Sequence, residues 1–252
     1  MLILTLRVLT VVGYGALTVA LLRLRAAIRP SSQPAARVWR WLALPYGLIA
    51  LNAVLFEARL ALRPYIADPA LGEFLRVTVY QALYLTQTLI GAAIPIVLLA
   101  LLPRHRSWRR IAWAALAVMV AVAMVGVARD ALADWDVLLG STRVIYFISI
   151  AAHLLFWALF ALAAVEAVGT HLAVFMAIET VFVLLIPAQE AYFQVLGLSG
   201  ADQIWHLNQF LQMATAFAQA GVVIWLLRVG ARVRPTRVEA VTRGTGQPRL
   251  GL

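Results

Sequence analysis

The chain has 252 residues, of which 63% are hydrophobic and 13% charged, with a formal net charge of +10 and a mean hydropathy of +0.89. A soluble domain has roughly 45–50% apolar and about 25% charged residues, so that class is excluded in favour of about seven bilayer crossings joined by short loops. Cysteine is absent and all 21 basic residues are arginine, which excludes disulfides, cysteine-held metals and any lysine Schiff base to retinal or pyridoxal phosphate.

The apolar residues run in continuous blocks instead of alternating, which predicts helices and not barrel strands. The expected fold is an all-α integral membrane bundle with spans near 2–23, 41–62, 75–102, 109–128, 143–166, 171–197 and 204–228, then a basic flexible tail, 230–252. The first span has no basic segment before it and no small-residue cleavage site, so it reads as a retained helix. Residues three, four or seven apart share a helix face. Span two sets Glu57 above Tyr46 on one face and Asn52 with Arg59 on another. Span three carries the stripe Arg76, Tyr80, Tyr84 and Gln87, with Gln81 beside it, continuing to Gly91 and Pro95. Span four has no strongly polar side chain from Ile111 to Ala128 and is expected to be the most lipid-exposed. Span five aligns Tyr146, Ser149, His153 and Trp157. In span six Glu179 and Glu190 lie eleven residues apart with Pro187 between them, and Gln194 follows one turn later. Span seven aligns Asp202, His206, Gln209 and Gln212, with Gln219 further along.

Arginine placement predicts orientation. Fifteen of the 21 arginines fall between spans one and two (Arg23 to Arg40), between three and four (Arg104 to Arg110) and after span seven (Arg228 to Arg249). The opposite loops carry Asp68, Glu73, Asp130, Asp134, Asp136 and Asp202. Positive residues are retained on the inside, so the N-terminus is expected out and the C-terminus in. The basic excess is therefore a topology signal facing anionic headgroups, and no nucleic-acid partner is predicted. Arginine used to the exclusion of lysine points to a GC-rich bacterial genome and thus to the cell (inner) membrane.

An ionised carboxylate facing lipid costs several kcal/mol, so the polar stripes should turn inward and enclose a chamber near the outer surface. The candidate ligand-binding or coupling residues are Glu57, Tyr80, Gln81, Tyr84, Gln87, His153, Glu179, Glu190, His206, Gln209 and Gln212. A structural reading stands beside this one. Interior Gln, Asn, Tyr and Ser often serve as interhelical hydrogen-bond glue, Glu57 and Glu190 could pair with Arg59 or Arg76, and His153 could be a satisfied interior histidine. Glu179 resists it, because no arginine is expected at its depth.

Spans one to three also match spans five to seven weakly. Arg7-Val8 corresponds to Arg143-Val144, Glu57-Ala58 to Glu190-Ala191, and Tyr80-Gln81-Ala82-Leu83-Tyr84 to Asn208-Gln209-Phe210-Leu211-Gln212. This suggests a 3+1+3 parallel pseudo-repeat with span four as linker and sites between the repeats.

In number and sense of spans, residues 2–228 resemble the broad seven-helix group of sugar-efflux transporters, opsins and receptor-type bundles. The sugar transporters' prolines in spans one and five are missing, as is the opsin lysine of span seven. Spans two and three faintly resemble, through Glu57 and the Tyr80-to-Pro95 stretch, the seven-helix input domain of some bacterial sensor kinases, without the kinase. Membrane hydrolases of the alkaline ceramidase type have a histidine pair in the last span, where this chain has His206 alone. Three functions follow from these features: a small-molecule transporter, a seven-helix sensor signalling through a membrane partner, and an enzyme or cofactor subunit. Haem is disfavoured because His153 and His206 differ in depth by roughly 10 Å, and no cofactor or metal is expected. The expected partners are the bilayer, a small-molecule ligand, and a second copy or another membrane protein.

Overall fold

The computed structural model describes the backbone of residues 2–28, 34–103, 106–162, 170–195 and 201–243, with side chains described there except at 2–3, 34–36, 63, 186–195, 201–206 and 230–243. Among the described residues the chain forms eight α-helices and no strand: α1 (Leu2–Ala27), α2 (Pro34–Leu62), the short α3 (Pro69–Phe74), α4 (Tyr80–Leu101), α5 (Arg106–Ala128), α6 (Trp135–Ala161), α7 (Thr170–Val195) and α8 (Ala201–Arg243). A 3-10 turn, Arg63–Tyr65, ends α2, and a π-helical turn, Leu75–Val79, joins α3 to α4 in one rod.

Six stretches are long and apolar enough to cross a bilayer: Leu4–Ala27, Arg37–Leu62, Pro69–Leu101, Arg106–Ala128, Trp135–Ala161 and Leu207–Val229. A seventh, Thr170–Leu185 in α7, is apolar and shorter. Each of the seven overlaps one of the apolar blocks read from the sequence, with the helix of the fifth block starting at Trp135, before the expected 143. Their outward faces carry side chains that only lipid would cover: Leu44, Met124, Phe147 and Trp225 are each more than half exposed. A helical, multi-pass membrane bundle accounts for both facts.

Helix ends are set by short-range chemistry. Asp68 caps α3 by accepting from the Ala70 N–H at 2.9 Å, with Pro69 in the first helical position. Asp134 caps α6, accepting from the Asp136 and Val137 N–H groups at 2.8 and 3.3 Å. Between α5 and α6, Asp130 takes a left-handed φ of 62°, and the Ala131 N–H closes back onto the Gly126 carbonyl at 3.0 Å. That is the six-to-one bond of a helix stop in which Asp stands where glycine is commonest.

Helix packing follows chain order around a ring. α1 contacts α2 and α8, α2 contacts α4, α4 contacts α6, α6 contacts α7, and α7 contacts α8. α5 stands outside this ring against α4 and α6. Only 22% of the residues in its apolar stretch are buried, against 28–50% in the other five long spans, as its lack of polar side chains led us to expect. Small residues set the closest approaches. A Cβ on Gly13 of α1 would lie 3.1 Å from that of Ala216 on α8, and one on Gly126 of α5 would lie 2.4 Å from the Ser141 Oγ on α6.

Candidate functional site

The ring encloses a narrow shaft to which all six of its helices contribute. Its polar lining is Tyr14 of α1, Tyr46 of α2, Tyr84, Gln87 and Thr88 of α4, Tyr146 and Ser149 of α6, Glu179 of α7, and Asn208, Gln209 and Gln212 of α8. From Tyr46 to Phe56, both of which line it, α2 climbs ten residues, or about 15 Å. The space open to water is about 70 Å³, which holds several waters but not a sugar-sized solute.

At the deep end three side chains from three helices converge. The Tyr46 hydroxyl donates to Glu179 Oε2 at 2.9 Å, and Gln219 Nε2 donates to the same oxygen at 2.6 Å and to the Tyr46 hydroxyl at 3.0 Å. Tyr46 is 1% exposed, Glu179 6% and Gln219 0%. Gln219 Oε1 is buried with no hydrogen-bond partner among the described residues. Beyond this cluster, toward the N-terminal ends of α2 and α7, the shaft is shut by aromatic packing. The Phe175 ring meets Tyr46 edge-on at 5.6 Å and Trp39 at 5.4 Å, and Leu42 and Leu172 beside them are fully buried.

One turn to three turns higher, amides cross the shaft. Asn52 Nδ2 donates to the Leu83 carbonyl at 3.1 Å and to Gln87 Oε1 at 3.3 Å, while Gln87 Nε2 reaches Gln212 Oε1 at 3.4 Å. The last bond links α4 to α8 across the opening. Near the Gln209 end, the Thr10 hydroxyl donates to the Leu6 carbonyl at 2.8 Å and touches the Gln209 carbonyl at 3.4 Å. Glu57 is held there by Arg7 Nε at 2.9 Å.

The partners expected of Glu57 are engaged elsewhere. Arg59 sends its guanidinium to the Leu75 and Arg76 carbonyls at 3.0 and 3.2 Å. A π-turn shifts the hydrogen-bond ladder by one residue and leaves such carbonyls in need of a donor. The same guanidinium lies 5.1 Å from the Phe56 ring centroid and 5.0 Å from that of Tyr80. Arg76 is bound to Glu73 at 2.7 and 2.5 Å on the exposed face of α3 and the π-turn. Tyr80 and Tyr84 stack, with Trp135 from the start of α6 against both.

Of the residues singled out by sequence, Tyr84, Gln87, Glu179, Gln209 and Gln212 meet in the shaft. Tyr80 and Gln81 instead border a shallow depression with Arg59, Arg76 and Trp135, and Glu57 is bound by Arg7. His153 is buried, its Nδ1 2.8 Å from the Ser149 carbonyl one turn back and its Nε2 without a partner among the described residues. It does not line the shaft. The side chains of Glu190 and His206 lie outside the described residues. Sequence reasoning passed over Tyr14, Asn208 and the floor roles of Tyr46 and Gln219. Tyr14, between Gly13 and Gly15, lies one turn from both Thr10 and Thr18 on α1, and Asn208 directly precedes Gln209. Among the described residues no three His, Asp or Glu side chains converge as metal ligands would.

Compared with known proteins, the chain matches no family model, no curated protein and no solved structure at a significant level.

Proposed function

We propose that this chain is a small-molecule permease whose binding and coupling centre is the shaft, with Glu179 as its charge-bearing group. The observation that carries the reading is the environment of that carboxyl. Its hydrogen-bond donors, Tyr46 and Gln219, are both neutral, and among the described residues no arginine lines the shaft. A carboxylate deep in a bundle needs a compensating positive charge. A proton or a cationic group of the substrate supplies it, and exchange between the two is the elementary step of proton-coupled transport. Tyr84, Gln87, Gln209 and Gln212 hydrogen-bond the polar part of the substrate.

The arginine distribution supports an outward-facing mouth, N-terminus out and C-terminus in, with the aromatic seal as the inner gate. Pro45 and Pro95 interrupt α2 and α4 beside the shaft and supply bending points where one backbone hydrogen bond is already missing. Two facts favour the 3+1+3 repeat. The ring order α1, α2, α4, α6, α7, α8 is what two parallel triplets about an axis along the membrane normal would give. Tyr46 and Glu179, which bond to each other, are separated by 133 positions, the same offset as Glu57 to Glu190. Counterparts in a two-fold arrangement meet at its axis.

The test is uptake into proteoliposomes across a panel of small cations and polyols with an imposed pH gradient. Glu179→Gln is expected to abolish gradient-driven accumulation, at least tenfold, while leaving the protein folded. Accumulation unaffected by this change would overturn the coupling role. The aromatic seal favours one second reading, a sensor whose ligand in the shaft shifts α7 for a membrane partner; ligand binding with no flux for any compound in the panel would favour it.

A further inference from the structure

At the opposite, arginine-rich end of α1 and α2, away from the shaft, lies a second feature that transport does not use. Arg25 near the end of α1 and Arg37, Arg40, Trp41 and Leu44 on α2 surround a shallow depression with about 340 Å³ of open space. Positions 37, 40, 41 and 44 follow the three-and-four spacing of a single helix face. Three arginines thus border one space. Among the described residues none of the three has an ion pair with a carboxylate, and Arg40 Nε is buried without a hydrogen-bond partner. Such a cluster repels itself unless an anion fills it.

The same face continues away from the arginines as an apolar strip. Leu44, Leu48, Leu51 and Leu55 are 57%, 43%, 54% and 47% exposed, at helical spacings of four, three and four. From Leu44 to Leu55 the strip is about 16 Å long at 1.5 Å per residue. That is close to half of the ~30 Å hydrocarbon core, the depth of one leaflet. Trp41 sits between the charged and apolar parts, where a membrane interface favours indole.

We propose that this face is a binding site for an anionic phospholipid, with its phosphate among Arg25, Arg37 and Arg40 and an acyl chain along Leu44 to Leu55. A free phosphate would account for the arginines but not for a leucine strip of leaflet length. A soluble acidic partner would likewise leave the strip uncovered. The inference does not depend on the permease reading.

Native mass spectrometry of the full chain in detergent tests it, with cardiolipin, phosphatidylglycerol and phosphatidylcholine added in turn and inorganic phosphate or glycerol phosphate as competitors. The two anionic lipids are expected to remain bound at energies that strip phosphatidylcholine. A surface arginine contributes about 1 kcal/mol toward an anionic lipid, close to fivefold in affinity. Arg25→Gln with Arg40→Gln should therefore weaken retention roughly 25-fold, and Arg37→Gln alone, at an exposed position, about fivefold. Leu48→Asn with Leu51→Asn should weaken lipid retention with the arginines intact. Equal retention of phosphatidylcholine, displacement by millimolar inorganic phosphate, or indifference of the single Arg37→Gln variant in a folded protein would each overturn the proposal.

Discussion

Glu179 receives both of its bonds from Tyr46 and Gln219 through a single oxygen, so substitutions around it separate charge from packing. Glu179→Gln keeps an acceptor oxygen of the same reach and should change the melting temperature in detergent little. Glu179→Leu strands two buried donors and should cost about 2–6 kcal/mol, since each unsatisfied buried group costs about 1–3. A Leu variant that melts with the wild type would show that the cluster is not a structural unit. The uniqueness of this carboxyl was legible in the sequence, because depth counting put no arginine near it. The partner of Glu57 was not. Helical spacing and proximity in sequence favoured Arg59 or Arg76, whereas Arg7, fifty positions away, holds it. What diverted Arg59 was the π-turn at Leu75–Val79, a shift of one residue in the backbone ladder that leaves no trace in hydrophobic periodicity. Tyr14 was not singled out, although Arg7, Thr10, Tyr14 and Thr18 share one face of α1 at helical spacing and that face meets α2 and α8.

Among the elements, two of the acidic loop residues that served as topology markers, Asp68 and Asp134, are helix caps. Asp134→Ala should cost about 1 kcal/mol by removing the acceptor for two α6 N–H groups. Asp130→Gly should stabilise by about 1 kcal/mol by relieving a left-handed residue. Thermal melts of the two single variants should move in opposite directions, and a shift of the same sign would contradict the cap geometry. The glycines make a second pair. Gly126→Val forces α5 off α6 at Ser141 and should lower stability while ligand binding in the shaft persists. Gly13→Val separates α1 from α8 at Ala216, two walls of the shaft, and should impair stability and binding together. Equal binding in both variants would mean that the ring does not depend on this contact. The spans themselves were legible because lipid tolerates only long unbroken apolar helices. The order in which they pack was not, since one apolar face looks like another until neighbours select it.

For the whole molecule, reporter fusions should read the N-terminus outside and the C-terminus inside, and both ends in one compartment would refute seven crossings. The ring gives α5 a particular standing. It adds no side chain to the shaft and leans on α4 and α6 from outside, yet without it α6 would set out in the opposite sense to α1. On the proposed 3+1+3 reading, α5 is the reversing segment that lets the second triplet of helices insert in the same direction as the first. A break in the short link before it should therefore be tolerated. Polypeptides 1–103 and 104–252, made together in one cell, should find each other in the bilayer and co-purify, the second half bringing its own start signal in α5. Halves that insert but fail to associate would mean that the continuous chain, and not the fit of six helices, holds the shaft together.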